Sequence, residues 1–64
     1  METDYAIAMR NLGITSFQLG LFVESDACFS NALAAVRWDK QSRQEMQEAR
    51  KRIEELKKSG SSGL

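Results

Sequence analysis

The 64-residue sequence predicts an all-α fold in which an antiparallel helical hairpin is followed by a third, amphipathic helix. Three observations indicate this fold class. Apolar residues recur at spacings of three and four, which is the period of one helical face. The chain contains no proline, the residue that most strongly interrupts a helix. Its second half is rich in Glu, Lys, Arg and Gln, all of which favour helix.

The first predicted helix covers residues 4–19, and Asp4 is expected to cap its start. One apolar stripe has helical spacing and comprises Tyr5, Met9, Leu12, Ser16 and Leu19. A second apolar set lies on a neighbouring face and comprises Ile7, Ile14 and Phe17. A surface helix of a globular protein typically has one apolar stripe. We therefore expect this helix to be covered on two sides.

The second predicted helix starts near residues 22–24 and runs to about Arg37. Gly20 precedes it, and glycine readily adopts the left-handed conformation that ends many helices. The inward stripe of the second helix comprises Phe22, Ser25, Cys28 or Phe29, Ala32, and Ala35 or Val36. Three of these residues are small, so the backbone of a neighbouring helix is expected to approach closely.

The third predicted helix lies within residues 39–58 and has a narrow apolar stripe. That stripe comprises Met46, Ala49, Ile53 and Leu56. Ser42 and Glu45 have the spacing of a capping box, which predicts the start of the helix. Residues 59–64 have the composition of a linker and are expected to form a flexible tail outside the fold.

The connection between the second and third helices allows two structures. No glycine or proline occurs between Gly20 and Gly60, so the two helices can fuse into one long helix. A fused helix would open the hairpin and permit a domain-swapped dimer. The alternative is a bend near residues 38–41 with Trp38 packed under the turn.

The first two helices, residues 4–38, resemble a tetratricopeptide repeat. The repeat has a leucine-glycine pair, a turn glycine, and aromatic and small residues at fixed positions over about 34 residues. The matching residues are Leu12, Gly13, Gly20, Phe22, Ser25, Phe29 and Ala32. The resemblance implies that these seven residues pack the two helices together, with Gly13 at the point where the helices cross. It also implies that residues 39–58 form the polar capping helix that ends an array of repeats.

The composition argues against an enzyme. Histidine is absent, so the usual base for a serine or cysteine nucleophile is missing. Cys28 is the single cysteine, which excludes an internal disulfide and argues against a zinc site. We therefore expect no catalytic residue, no cofactor and no bound metal.

The predicted partner is another protein. Nine basic and nine acidic residues cancel, so no strong field favours nucleic acid. No apolar run approaches the length of about 18 residues that a membrane span requires. A buried, unpaired cysteine is typical of a reducing compartment, which predicts a cytoplasmic location.

A single repeat cannot bury its own apolar face, since at least three repeats are normally needed. The chain is therefore expected either to self-associate, with a dimer favoured, or to stack on adjacent repeats. The family resemblance implies an interaction surface on the first helix, comprising Ile7, Arg10, Asn11, Ile14, Phe17 and Gln18. An alternative is the last repeat of a longer array that binds acidic C-terminal peptides of heat-shock chaperones, for which Arg10 and Asn11 are suitable.

Overall fold

The computed structural model describes the backbone of residues 2–62 and the side chains of residues 2–59. The described part of the chain contains three helices and no strand, which confirms the predicted all-α fold. Helix α1 covers Glu2–Gln18, α2 covers Phe22–Ala35 and α3 covers Lys40–Ser62. Helices α1 and α2 form a closely packed hairpin, and α3 packs mainly against α2.

Helix α1 starts two residues before its predicted start. Glu2 and Asp4 both lie in its first turn, where acidic side chains interact favourably with the helix dipole. The helix ends at a left-handed glycine, since Gly20 has a φ of +79°. The N–H of Leu21 donates to the carbonyl of Ser16 at 2.8 Å, and that of Gly20 donates to Phe17 at 3.0 Å. These two bonds satisfy carbonyls that would otherwise lack partners, in the arrangement of a Schellman motif.

The two helices of the hairpin approach each other most closely where Gly13 of α1 faces α2. A Cβ at position 13 would be 2.9 Å from two carbon atoms of the Phe29 ring, so only glycine fits without a shift. The hydroxyl of Ser25, which is fully buried, donates a 2.6 Å hydrogen bond to the carbonyl oxygen of Gly13. This contact sets the separation of the two helices, because the ring and the hydroxyl both lie directly on the α1 backbone.

The chain bends sharply between α2 and α3. Val36 is extended, with φ −143° and ψ 166°, so α2 stops at Ala35 rather than at the predicted Arg37. The indole N–H of Trp38 donates to the carbonyl oxygen of Ala32 at 2.7 Å. That carbonyl lies in the last turn of α2, where no further helical N–H follows to bind it. The fused-helix alternative is therefore wrong for this structure, and the bend is stabilised by the side chain that packs beneath it.

Helix α3 starts at Lys40, and its cap lies three residues before Ser42, the predicted one. Asp39 caps it, because the N–H of Ser42 donates to the Asp39 carboxylate at 3.1 Å. Hydrogen bonds from Ser42 hold the pKa of Asp39 below its ordinary value of 3.8. The helix then continues through residues 59–62, although a flexible tail is predicted from residue 59. Extending an existing helix costs little per residue. Residues 63–64 of the predicted tail lie outside the described residues.

The core lies between α2 and α3 and extends under α1. Its buried residues are Phe29, Ala32, Met46 and Ile53. Half-buried side chains surround them, namely Met9, Phe17, Phe22, Leu33, Trp38 and Ala49. The single thiol, that of Cys28, is free and buried. The stripe predicted for α3 therefore faces the core, except that Leu56 lies partly exposed at its end.

Candidate interaction surfaces of the first helix

The residues predicted to pack the hairpin divide into three groups in the structure. Four are buried at or near the contact of α1 with α2, namely Gly13, Ser25, Phe29 and Ala32. Phe22 is half-buried against the core, and Gly20 serves the turn. Leu12 does not pack in the hairpin, because it is 48% exposed. The face of α1 that meets α2 is centred on Ala6 and Gly13, so Leu12 lies beside that face rather than in it.

The predicted interaction surface is also divided. Ile7 and Ile14 are exposed, as are the polar Asn11 and Gln18. Phe17 is instead half-buried and meets the ring of Phe22 edge-on, with ring centroids 5.6 Å apart. Phe17 therefore packs within the fold and is only partly available to the predicted interaction surface.

An open cleft separates α1 from α3. It has a volume of about 1010 Å³. Ile14 and Phe17 line it on the α1 side, Ala49 and Leu56 line it on the α3 side, and the Phe29 ring also borders it. The α1 and α3 side chains that face each other across the cleft are therefore largely apolar.

Charged side chains from α3 form the rim of the cleft. They are Glu45, Glu48, Lys51, Arg52 and Glu55. The guanidinium of Arg10 in α1 is 3.9 Å from the carboxylate of Glu45, one of these side chains. The rim therefore carries both signs of charge, and Arg10 already has an acidic neighbour within the chain.

A further ion pair holds α3 against α2. The Nε of Arg50 donates to a carboxylate oxygen of Asp26 at 2.9 Å. Both side chains are more than a third exposed, so solvent screens the interaction. The pair links the first half of α2 to the middle of α3 beside the apolar contact of the two helices.

The structure reveals a second exposed surface on α1, which we call the outer flank. It comprises Tyr5, Ala8, Leu12 and Thr15 of α1, together with Leu19 in the turn that follows the helix. Tyr5 and Leu12 are each 48% exposed, and Leu19 is 69% exposed. Successive helical residues are rotated by about 100°, so Leu12 and Ile14 point about 160° apart around the helix. Since Ile14 borders the cleft, the outer flank lies on the side of α1 away from α3.

In the sequence, the residues of this flank are not distinguished from those that pack the hairpin. Tyr5, Leu12 and Leu19 belong to the predicted stripe of α1, but the two other members of that stripe are more buried. The seven-residue spacing of Tyr5, Leu12 and Leu19 is the signal that could have distinguished them.

Within the described residues, no three His, Cys, Asp or Glu side chains are grouped so that they could hold a metal ion. None of the three helices, as far as the structure describes them, has the length and hydropathy needed to cross a membrane.

Comparisons with protein-family models, with curated proteins and with solved structures find no match to this chain. Any functional interpretation therefore depends on the geometry of α1 and its two exposed surfaces.

Proposed function

We propose that this chain is a non-enzymatic protein-interaction module that works by burying the exposed apolar surface of α1 against another helical surface. The observation that carries the proposal is the exposure of large apolar side chains along this one helix. They are Tyr5, Ile7, Leu12 and Ile14, together with Leu19 just beyond the end of the helix. These side chains form two exposed apolar surfaces, one on each side of α1, and exposed apolar surface on a small protein typically marks a site of association.

The hairpin contact supports a tetratricopeptide-like arrangement. Gly13, Ser25 and Phe29 meet at the closest approach of α1 and α2, which is the role that the family resemblance implies for them. Helix α3 then acts as a capping helix, because Met46 and Ile53 cover one side of the hairpin while charged residues face solvent. The partner is a second copy of the chain or an adjacent helical repeat.

The peptide-binding alternative receives less support from the cleft. An acidic chaperone tail needs free basic side chains, whereas Arg10 is close to Glu45. Two further acids, Glu48 and Glu55, also border the cleft. Lys51 and Arg52 border it as well, so the lining has no net positive charge that would favour an acidic peptide. An apolar or amphipathic helix suits the cleft better.

Light scattering coupled to size exclusion tests the proposal. We expect the wild-type chain to associate as its concentration rises. The double variant Ile7→Glu/Leu12→Glu introduces a charge on each side of α1 and is expected to give a monomer with unchanged helical content. Gln47→Glu adds the same charge to an exposed position of α3 and serves as the control.

Two outcomes would contradict the proposal. The first is a wild-type chain that stays monomeric at every concentration and does not bind an apolar fluorescent dye, because α1 would then offer no accessible apolar surface. The second is an oligomer that the double variant leaves intact, because association would then use a surface other than α1.

A further inference from the structure

We propose that this chain has a second folded state, a domain-swapped dimer in which α2, residues 36–39 and α3 form one continuous helix, and that Asp39 holds the wild-type chain in the bent state described above. In the dimer, α3 of each copy packs on the hairpin of the other copy. This inference goes beyond the proposed function, because it uses the contact of α3 with the hairpin and leaves the exposed surfaces of α1 unchanged.

The packing faces of α2 and α3 are in phase across the bend. The packed positions of α2 follow intervals of three and four, and the same intervals lead through position 39 to the packed positions of α3. This is the pattern of the a and d positions of a coiled coil. We call these ten positions the continuous seam. They are Ser25, Cys28, Ala32, Ala35, Asp39, Ser42, Met46, Ala49, Ile53 and Leu56.

The bend does not require this match of phase. In the bent chain, each helix can rotate about its own axis to face the core. The members of the seam in α2 are all buried or half-buried, as are those in α3 apart from Leu56 at its end. A straightened chain would therefore present the same packed residues along a single face of one long helix.

The connection between α2 and α3 contains no residue that prevents a helix. Residues 36–39 include neither glycine nor proline. Within the described residues, Gly20 alone has a positive φ, so no backbone conformation in the bend excludes other residues. Two side-chain contacts stabilise the bend instead, one from Trp38 to the carbonyl of Ala32 and one from Asp39 to the N–H of Ser42. Both can be lost without strain elsewhere in the chain.

The swapped dimer re-forms the contacts of α3 with the hairpin. The core of Phe29, Ala32, Met46 and Ile53 is assembled from α2 of one copy and α3 of the other. The ion pair between the carboxylate of residue 26 and the guanidinium of residue 50 is likewise re-formed between copies. Exchange of an identical element is a low-cost route to a dimer, because the packing energy of that element is kept.

Asp39 opposes the dimer and supports the bend. Asp26 contacts Arg50, and an antiparallel pair of long helices with this contact has its two-fold axis midway, beside position 38. Asp39 is the only charged residue of the seam and lies next to that axis, so the two Asp39 carboxylates would face and repel each other. In the bent chain the same carboxylate is exposed and caps α3.

Replacement of Asp39 tests the inference. Asp39→Leu is made in the Ile7→Glu/Leu12→Glu background, which removes association through α1. We expect light scattering to give a dimer whose dissociation constant is at least about tenfold lower than that of the background protein, because a like-charge contact is replaced by an apolar one. Asp39→Ala is expected to shift the mass in the same direction with a smaller side chain. Lys40→Leu, at an exposed position beside the seam, is the control.

A distance within one chain identifies the swapped state. Spin labels are attached at Glu24→Cys and Glu54→Cys, both exposed, in a Cys28→Ala version of the Asp39→Leu protein. Dilution with unlabelled protein leaves only the distance within each chain. In a continuous helix the two sites are about 45 Å apart, at 1.5 Å per residue. In the bent chain they lie nearly level on neighbouring helices, so their separation is less than half of this.

Three results would overturn the inference. The first is a monomer for both Asp39 variants, with helical content checked by circular dichroism. The second is a dimer that keeps the short distance, since its chains would still be bent. The third is equal dimerisation of Lys40→Leu, since any added leucine would then suffice. None of these results bears on the proposed function, which depends on whether Ile7→Glu/Leu12→Glu abolishes association of the chain that retains Asp39.

Discussion

The ring of Phe29 lies against Gly13 so closely that a methyl group at position 13 would be 2.9 Å from two of its carbon atoms. Phe29 is itself buried, so its ring has little room to move away. Glycine inside a helix costs about 1 kcal/mol relative to alanine. The close approach of α1 and α2 explains why this helix contains a glycine in spite of that cost.

Gly13→Ala is therefore expected to destabilise the chain, because overpacking typically costs about 1–3 kcal/mol. In a Phe29→Leu background the same substitution should stabilise, since the clash is relieved and the helix preference of alanine remains. Urea unfolding of the four proteins in this double-mutant cycle gives the coupling between the two positions. Stabilisation by Gly13→Ala in the wild-type background would show that the ring is not the constraint.

Trp38→Phe should lower the free energy of unfolding by about 0.5–1.5 kcal/mol, which is the usual net contribution of one hydrogen bond. Phenylalanine keeps an aromatic ring under the bend but cannot donate to the Ala32 carbonyl. Trp38→Ala should cost more, because it also removes the ring from the core. Circular dichroism in urea measures the stability of each variant. If Trp38→Phe is as stable as the wild type, the bend does not depend on this hydrogen bond.

The ion pair of Asp26 with Arg50 is expected to contribute little energy. Both side chains are more than a third exposed. The coupling between Asp26→Asn and Arg50→Gln in a double-mutant cycle should lie at about 0.2–1 kcal/mol and should decrease as salt is added. A coupling that salt does not change would show that the pair is more shielded from solvent than its exposure suggests.

Asp39 should make the stability of α3 depend on pH in the acid range. Its folded-state pKa lies below the ordinary value of 3.8, because the hydroxyl and the N–H of Ser42 donate to the charged carboxylate. The stabilisation is therefore present above about pH 4 and is lost as the pH falls through the lowered pKa. Asp39→Ala should be less stable than the wild type at pH 7, and the difference should shrink at low pH. A difference of constant size across this range would rule out the charged cap.

The three helices were predictable because helix formation follows local patterns. The spacing of apolar residues and the left-handed glycine at position 20 are features that a one-dimensional sequence contains. The start of α3 was less predictable, because Asp39 and Ser42 are both good capping residues three positions apart. The structure uses both, with Asp39 as the cap and Ser42 as its donor.

A bend with Trp38 beneath it was one of two alternatives that the sequence predicted, but the choice between them, and the two surfaces of α1, required the tertiary structure. Trp38 bonds a carbonyl six residues earlier, and no helical period signals such a contact. The exposure of Leu12 depends on which part of α1 faces α2, and that is set by the fit of Phe29 over Gly13. The partners of Arg10 and Asp26 depend in turn on where α3 lies, since both partner residues are on that helix.

The burial of Cys28 gives the chain an internal reporter of its own breathing motions. Cys28 is only 9% exposed, so a reagent that modifies thiols reaches its sulfur mainly when the packing around α2 opens. The rate of modification therefore counts local opening events under fully native conditions, without denaturant and without an added label. Anything that holds α1 in place against α2, including a bound partner, should slow that rate in proportion to the protection it gives.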